Sequence, residues 1–162
     1  MKKGIKVGLL PFANEDKKII YPKGQIWLPT NQDYLAMFIE YIHKSSIITN
    51  LTKGNILDIG TGSGVLSYIL GHKVKSKDVK IYAFDKNPKA VETCQINAAS
   101  FGLSDISAFS GDITKQNDIL HNFKLNKAPT SYDLIICNPP WIHAKKQKGE
   151  SDILDGVYDD KG

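Results

Sequence analysis

The segment Asn138-Pro139-Pro140-Trp141 carries the residue types best suited to chemistry in this chain. The amide oxygen of Asn138 and the carbonyl of Pro139 both accept hydrogen bonds, so together they suit an incoming NH2 group, whose two hydrogens they can hold. The prolines fix the backbone and remove N–H donors, and Trp141 offers a flat face for a planar substrate. The segment therefore predicts an acceptor site, with an ordinary strand-ending turn as the alternative.

A second group of residues, the glycine-rich run 58–64 (Asp-Ile-Gly-Thr-Gly-Ser-Gly), falls where a predicted strand turns into a helix. Glycines there let the backbone approach a ligand closely and adopt φ values closed to other residues. The G-x-G-x-G spacing differs from the dinucleotide fingerprint, and the run lacks both a Gly-Lys-Ser/Thr ending and a cation for pyrophosphate. It predicts a nucleotide-type loop, with a purely structural tight turn as the alternative.

Two acidic residues follow the next predicted strands. Asp85 ends an apolar run and can accept hydrogen bonds from both hydroxyls of a ribose, although an acid there can also simply interact with the dipole of the following helix. Asp112 can accept an adenine amino group or merely open a loop. The predicted cofactor-binding residues are Asp58, Gly60, Thr61, Gly62, Gly64, Asp85, Lys86, Asp112 and Asn138.

Short apolar strands alternate with helical stretches from Asn55 onward, which is the pattern of β-α-β units in a parallel sheet. Predicted strands cover 55–59, 79–85, 106–110 and 132–137, and predicted helices cover 64–72 and the segment from Pro88 to a stop at Gly102. Ligands of open α/β sheets bind at the carboxyl ends of the strands, where the candidate residues gather. The sequence predicts an α/β fold with a doubly wound parallel sheet.

Residues 1–50 show a different pattern. Short strands are predicted at 5–10, 18–21 and 25–28, the last two joined through a Pro-Lys-Gly turn. A helix follows, capped by Thr30 or Asn31, with an apolar stripe of Leu35, Phe38 and Ile42. Met37, Tyr34 and Tyr41 lie near this stripe, and the aromatic side chains are expected in the core. We predict an N-terminal appendage over 1–50 and the main domain over 51–162.

Composition and charge limit the classes of function. The 162 residues are 41% hydrophobic and 23% charged, as is typical of a globular domain. A net charge of +4 permits a polyanionic partner without requiring one. No run has the length of a membrane span, and Cys94 and Cys137 are expected to be free, buried thiols of a reducing compartment. These features predict a cytoplasmic protein with no metal and no membrane partner.

From Asn55 to Trp141 the chain resembles the class I S-adenosylmethionine-dependent methyltransferases, through the glycine-rich run, Asp85, Asp112 and the Asn-Pro-Pro-aromatic segment. The resemblance implies a Rossmann-like sheet in which the glycine-rich run wraps the methionine end of S-adenosylmethionine. It further implies that Asp85 holds the ribose, that Asp112 flanks the adenine, and that S-adenosylhomocysteine is the product.

The segment 138–141 is similar to the signature of methyltransferases that act on planar nitrogens, either exocyclic amines of RNA or DNA bases or the glutamine amide of peptide release factors. The resemblance implies that Asn138 and the Pro139 carbonyl align the nitrogen with the methyl carbon, and such alignment supplies much of a rate. The helix over 89–99 and Pro29-Thr30 resemble the release-factor (HemK) type. Trp141 stands where that type has tyrosine, and the acidic tail 152–160 follows it only loosely.

Partners follow from the same features. The basic run 145–148 beside Trp141 can contact phosphates, or it is a solvated loop. We expect a release-factor-like protein or a nucleic acid as substrate. The family's sheet is wider, so the chain is expected to be incomplete after its fourth strand, whose free edge would be apolar unless a second copy or a partner chain covers it.

The sequence thus predicts an S-adenosylmethionine-dependent N-methyltransferase that acts on a planar nitrogen. A truncated, non-catalytic cofactor-binding module or partner subunit is the alternative from another class. The further hypothesis of a nicotinamide-dependent oxidoreductase is supported by the β-α-β pattern alone.

Overall fold

The computed structural model describes residues 4–5, 19–20 and 32–138, with side chains described from Met37 to Asn138. In chain order its elements are β1 (Gly4–Ile5), β2 (Ile19–Ile20), α1 (Gln32–Lys44), α2 (Ser46–Thr49), β3 (Gly54–Ile59), α3 (Val65–Lys73), β4 (Val79–Asp85), α4 (Pro88–Ser100), β5 (Ile106–Ser110), α5 (Gln116–Leu125) and β6 (Leu134–Cys137).

Four of the strands form one sheet in the order β5-β4-β3-β6, and every neighbouring pair is parallel. Ile56 of β3 lies opposite Ile81 of β4 and Leu134 of β6. β3, β4 and β5 are therefore added successively toward one edge of the sheet, whereas β6 lies on the opposite side of β3. This arrangement confirms the predicted α/β fold with a parallel sheet.

Helices cover both faces of the sheet. On one face, Ile56 packs in a core with Ile42 of α1 and Ile69 of α3. On the other face, Phe84 and Phe109 pack with the partly buried Phe123 of α5, and the rings of Phe109 and Phe123 meet edge to face with centroids 5.1 Å apart. The strands read as nearly continuous apolar runs because both faces of a parallel sheet are buried.

Local signals set the bounds of α4. Asn87 accepts a hydrogen bond from the backbone N–H of Lys89 at 2.9 Å, and Pro88 occupies the first turn, where its missing N–H costs nothing. Gly102 adopts a φ of +73° just beyond the helix, and the N–H of Leu103 bonds to the carbonyl of Ala98. The predicted start and stop of this helix are both found.

α5 is an element that the sequence analysis missed. Its first residue is preceded by Lys115, whose side chain makes no capping hydrogen bond, so the usual start signal is absent. Ile119 and Phe123 lie one turn apart and are both partly buried against the sheet. Two residues are too few to show a helical period, and the acidic Asp118 in the first turn and the basic Lys124 in the last turn are weaker signals that the sequence analysis did not use.

The N-terminal part differs from the prediction in two respects. β2 pairs antiparallel with β1, with Ile20 opposite Gly4, while the expected partner at 25–28 lies outside the described residues. In α1, Ile42 and the partly buried Phe38 join the core, but Tyr41 is exposed, as is Met37. The expected burial of Tyr41 was wrong because this residue lies on the side of the helix that faces away from the core. The predicted division at residue 50 stays a prediction.

Among the strands that the structure describes, β6 lies at one edge of the sheet, as expected for the fourth of the predicted strands. Its side chains alternate, so Ile136 is buried while Ile135 is 56% exposed and Cys137 is also exposed. The predicted burial of Cys137 was therefore wrong, whereas Cys94 is free and buried as predicted. No helix in the described part of the chain is both long and apolar enough to cross a lipid bilayer.

Candidate functional site

The loops that follow β3 and β4 meet at the carboxyl edge of the sheet. The backbone N–H groups of Gly60 and Thr61 both donate to the carbonyl of Phe84, at 2.8 and 3.1 Å, and so tie the glycine-rich loop to the end of β4. A Cβ on Gly60 would lie 3.9 Å from the backbone oxygen of Asn138, the residue that follows β6. The structure thus places the backbone of Asn138 beside the glycine-rich loop.

The glycine-rich loop, defined here as residues 60–64, needs its glycines. Gly60, Gly62 and Gly64 have φ values of +72°, +56° and +84°, in the region where other residues are strained. A Cβ on Gly64 would lie only 2.7 Å from Sγ of Cys94, whereas a Cβ on Gly62 would meet no atom of the described residues within 4 Å. The loop is therefore packed tightly against α4 at Gly64, whereas the space next to Gly62 is open.

Asp58 lies under this loop at the end of β3, with 1% of its surface exposed. Its Oδ2 accepts hydrogen bonds from the hydroxyl of Thr61 at 2.8 Å and from the hydroxyl of Ser67 at 2.6 Å. Burial raises the pKa of Asp58 to about 6, although both hydroxyls oppose the shift. Asp58 and Thr61, both predicted to bind a cofactor, thus form an internal network that links the loop to the first turn of α3.

Asp85 ends β4 at the mouth of the loop. One carboxylate oxygen accepts the backbone N–H of Gly62 at 2.9 Å, and the other accepts the N–H of Asn87 at 2.8 Å. Desolvation raises the pKa of Asp85 above its ordinary value, against the effect of these two bonds. A carboxylate has about four acceptor sites, so each oxygen keeps capacity for one more donor, such as a hydroxyl.

Asp112 follows β5 and lies among neutral hydrogen-bond donors and positively charged lysines. Its Oδ1 accepts from the hydroxyl and the N–H of Thr114, at 2.7 and 3.0 Å. Its Oδ2 lies 3.6 Å from Nζ of Lys86 and 3.8 Å from Nζ of Lys115. The Thr114 bonds, followed by the charges of the two lysines, lower the pKa of Asp112. The predicted residues Lys86 and Asp112 are therefore brought together.

α4 supports the loop with two residues that the sequence analysis did not place in the site. Nδ2 of Asn97 donates to the carbonyl oxygen of Ser63 at 2.8 Å, and Cys94 packs under Gly64. Burial raises the pKa of Cys94 to about 12, so it stays a neutral thiol. Ser67 was also missed. A polar residue on a predicted apolar helix face is the only sequence signal that could have drawn attention to either polar side chain.

The residue types fit a nucleoside ligand without phosphate. The loop presents glycine backbone, with open space above Gly62, beside a carboxylate that can accept ribose hydroxyls. Positions 58–64 contain no lysine or arginine that would meet a pyrophosphate. The described residues also hold no cluster of three or more His, Cys, Asp or Glu side chains that suits a metal ion.

Several predicted residues cannot be located relative to this arrangement. Pro139, Pro140, Trp141 and the basic run 145–148 lie outside the described residues. Asn138 is the last described residue of the candidate acceptor site and is half-buried.

Comparison with known proteins gives a family and relatives for this arrangement. The model of the family called methyltransferase small domain matches residues 36–155. Among curated proteins, a release factor glutamine methyltransferase from Flavobacterium psychrophilum is 34% identical over 112 residues, which cover 68% of this chain and 35% of that protein. A tRNA1(Val) (adenine(37)-N6)-methyltransferase from Aliivibrio fischeri is 35% identical over 97 residues, which cover 59% of this chain and 37% of that protein. The chain spans less than half the length of these relatives.

Among solved structures, a proposed RNA methyltransferase from Pyrococcus horikoshii superposes with a TM-score of 0.50 at 20% identity, over 75% of this chain and 51% of that one. This likeness concerns the fold alone. It agrees with the predicted Rossmann-like arrangement of the sheet and its helices.

Proposed function

We propose that this chain, which belongs to the methyltransferase small domain family, binds S-adenosylmethionine at the glycine-rich loop and transfers its methyl group to a planar nitrogen. Membership of the family confirms the resemblance to methyltransferases noted in the sequence, and the predicted use of S-adenosylmethionine follows from it.

The observation that carries the cofactor assignment is the position of Asp85. Its carboxylate reaches across from β4 to the N–H of Gly62 and keeps acceptor capacity at the mouth of the loop. A ribose bound there would find an acceptor for its hydroxyls, and the open backbone above Gly62 leaves room for the rest of the cofactor. Desolvation of Asp85 strengthens such hydrogen bonds, because the local dielectric is low.

We assign the remaining roles residue by residue. Asp58 and Thr61 hold the loop from below, and Lys86 and Asp112 form the end of the site where an adenine amino group would find an acceptor. When bound, S-adenosylmethionine supplies an electrophilic methyl group on a sulfonium. Asn138, beside Gly60, orients the acceptor nitrogen with its amide, together with the Pro139 carbonyl and the ring of Trp141. The acceptor nitrogen is itself the nucleophile, so the protein needs none, and this nitrogen gives up one proton to water when it gains the methyl group.

A planar nitrogen is the proposed acceptor for two reasons. An amide oxygen on Asn138 can receive a hydrogen from an amino group and leave the nitrogen lone pair directed at the methyl carbon. The names of the two relatives specify a glutamine amide and an adenine N6 amine, and both nitrogens belong to planar groups. The proposed partners are accordingly a release-factor-like protein or an RNA.

Calorimetric titration with S-adenosylhomocysteine tests the cofactor assignment. We expect binding by the 162-residue chain and a ten- to hundredfold weaker affinity in Asp85→Ala, since a charge-assisted hydrogen bond contributes about 1.5–3 kcal/mol. Asp105→Ala is the matched control, because Asp105 pairs with Lys80 before β5, at the other end of the strands. Equal weakening in both variants, or no binding by the wild type, would contradict the assignment.

Transfer of a labelled methyl group into bulk tRNA and into a protein extract tests the reaction. Asn138→Ala should abolish transfer and leave S-adenosylhomocysteine affinity within about threefold, because the amide acts on the acceptor rather than on the cofactor. Asn126→Ala, an exposed asparagine that follows α5, is the control. Retention of cofactor binding with no transfer into either pool by the wild type would favour the non-catalytic module.

A further inference from the structure

One peptide group of the glycine-rich loop is held from both sides by hydrogen bonds. The peptide that joins Ser63 to Gly64 donates its N–H to the carbonyl of Thr61 at 2.9 Å. Its carbonyl oxygen accepts Nδ2 of Asn97 at 2.8 Å. Rotation of this peptide plane would therefore break two hydrogen bonds at once.

Gly64, which follows this peptide, permits such a rotation in the absence of these bonds. Its φ is +84°, and glycine adopts positive and negative φ with similar ease. The φ preference of Gly64 therefore does not select one orientation of the peptide. Ser63 is itself buried, so its carbonyl has little access to water as a substitute partner.

Asn97 is well placed to make that selection. It is 2% exposed and sits three residues after Cys94 on α4, so both side chains face the loop. A buried amide is costly unless it is hydrogen-bonded, and its bond to Ser63 spans 34 positions of sequence. A helix that only packed against the loop would be better served by an apolar residue here.

We propose that Asn97 is a positioning residue that fixes the Ser63–Gly64 peptide in the orientation in which the loop receives its cofactor. The inference rests on the proposed function for its consequence in binding, but the loop geometry that it concerns is measurable without any ligand. Asn97 acts through Ser63 and not by contact with the cofactor.

The test compares Asn97→Asp with Gln95→Glu. Both replace an amide donor on α4 with an acid of the same shape, and Gln95 donates to a backbone carbonyl too, that of Ala108 on β5, at 3.0 Å. Gln95 is exposed and its bond lies outside the loop, so Gln95→Glu controls for the loss of one amide-to-carbonyl bond and the gain of one charge. Asn97→Ser, which cannot reach Ser63, serves if Asn97→Asp does not fold.

The first measurement is hydrogen exchange of the Gly64 amide, followed by NMR without ligand. We expect exchange at least tenfold faster in the Asn97 variant than in the wild type and no such change in Gln95→Glu, because the Gly64 N–H belongs to the released peptide. Unchanged exchange at Gly64 would overturn the inference whether or not the chain binds S-adenosylhomocysteine.

The second measurement is the affinity for S-adenosylhomocysteine, with the melting temperature taken alongside. We expect binding at least tenfold weaker in the Asn97 variant and within twofold of wild type in Gln95→Glu. Wild-type affinity in the Asn97 variant would overturn the inference and leave the proposed function intact. Absence of binding by the wild type would instead overturn the proposed function, and the exchange result would still decide the role of Asn97.

Discussion

Asp58 and Asp112 make nearly the same hydrogen bond and respond to it in opposite ways. Each accepts a threonine hydroxyl, from Thr61 at 2.8 Å and from Thr114 at 2.7 Å. The pKa of Asp58 is nevertheless raised to about 6, whereas that of Asp112 is lowered. The bond itself therefore does not decide the charge state at either end of the candidate site.

The surroundings decide it. Asp58 receives two hydroxyls and a backbone hydrogen bond from Ser67 in a fully buried position, and the nearby charge of Asp85 adds to the penalty for ionisation. Asp112 also receives a hydroxyl and a backbone N–H, both from Thr114, but it faces two lysines whose side chains are 61% and 71% exposed. The glycine-loop end is thus built from buried, neutral partners, while the Asp112 end is held by local hydrogen bonds and exposed surface cations. Substitutions should have larger effects at the first end than at the second.

The largest effect on the free energy of unfolding is expected from glycine substitutions, at Gly64 in the glycine-rich loop and at Gly111 beside Asp112. Gly64→Ala should lower the free energy of unfolding by about 2–5 kcal/mol, because it combines left-handed strain of about 1–2 kcal/mol with an overlap of about 1–3 kcal/mol against Cys94. Gly111→Ala, whose Cβ would approach Phe84 at 2.9 Å without a positive φ, should cost about 1–3 kcal/mol. Urea unfolding measures both.

Gly102→Ala is the control for strain alone, since Gly102 has a φ of +73° and open space around its Cβ position. It should cost about 1–2 kcal/mol. If Gly64→Ala costs no more than Gly102→Ala, the tight packing of the loop on α4 has no energetic weight.

The next effect concerns the pH dependence of stability. Because folding raises the pKa of Asp58 from 3.8 to about 6, its contribution to stability is fully present below the unfolded value and is lost as the pH rises through about 6. The loss approaches about 3 kcal/mol. Asp58→Asn should therefore be less sensitive than the wild type to a rise in pH across this window, as measured by unfolding at several pH values.

Asp112→Asn should change the pH dependence in the opposite sense. A lowered pKa gives stability that is present above the unfolded value and lost as the pH falls through the folded one. Parallel pH profiles for wild type and Asp58→Asn between about pH 4 and 6 would contradict the assigned state of Asp58.

A smaller effect is expected from the threonine of the second pair. Thr114→Val removes the hydroxyl that contributes most to the lowered pKa of Asp112 and should destabilise the fold at neutral pH by about 1 kcal/mol. The cost should shrink as the pH falls and Asp112 becomes protonated. A cost that stays constant with pH would mean that the hydroxyl matters for packing and not for the carboxylate, and NMR titration of Asp112 would separate the two.

How far the sequence predicts this molecule depends on the range of the interactions. The bounds of α4 follow from Asn87, Pro88 and Gly102, which act on their immediate neighbours, and Asp85 was identified because it ends an apolar strand. α5 has no capping side chain, so its start is marked only weakly, by the acidic Asp118 in its first turn.

The parts of the site that escaped prediction depend on contacts between distant positions. Ser67 lies under the loop only because α3 packs against β3, and Asn97 reaches Ser63 only because α4 crosses behind it. The exposure of Cys137 depends on β6 being an edge strand, which the residues of β6 do not specify. Hydrophobic period and capping residues predict a single helix or strand. The positions of Ser67, Asn97 and Cys137 can be predicted only when the order of the strands in the sheet is known.

The smallest effect on stability is expected from substitution of the lysines near Asp112. This substitution tests whether local hydrogen bonds or ion pairs hold the Asp112 end of the site. Lys115→Ala should change the free energy of unfolding by less than about 0.5 kcal/mol, because Nζ lies 3.8 Å from the carboxylate and its exposed side chain loses entropy to hold that position. Lys86→Ala, at 3.6 Å, should behave alike. The pKa of Asp112 should rise slightly in each variant and stay below its ordinary value, since the Thr114 bonds remain. Urea unfolding at low and high salt checks this, and a loss above about 1 kcal/mol that disappears in salt would show that ion pairs, rather than local hydrogen bonds, hold this end of the site.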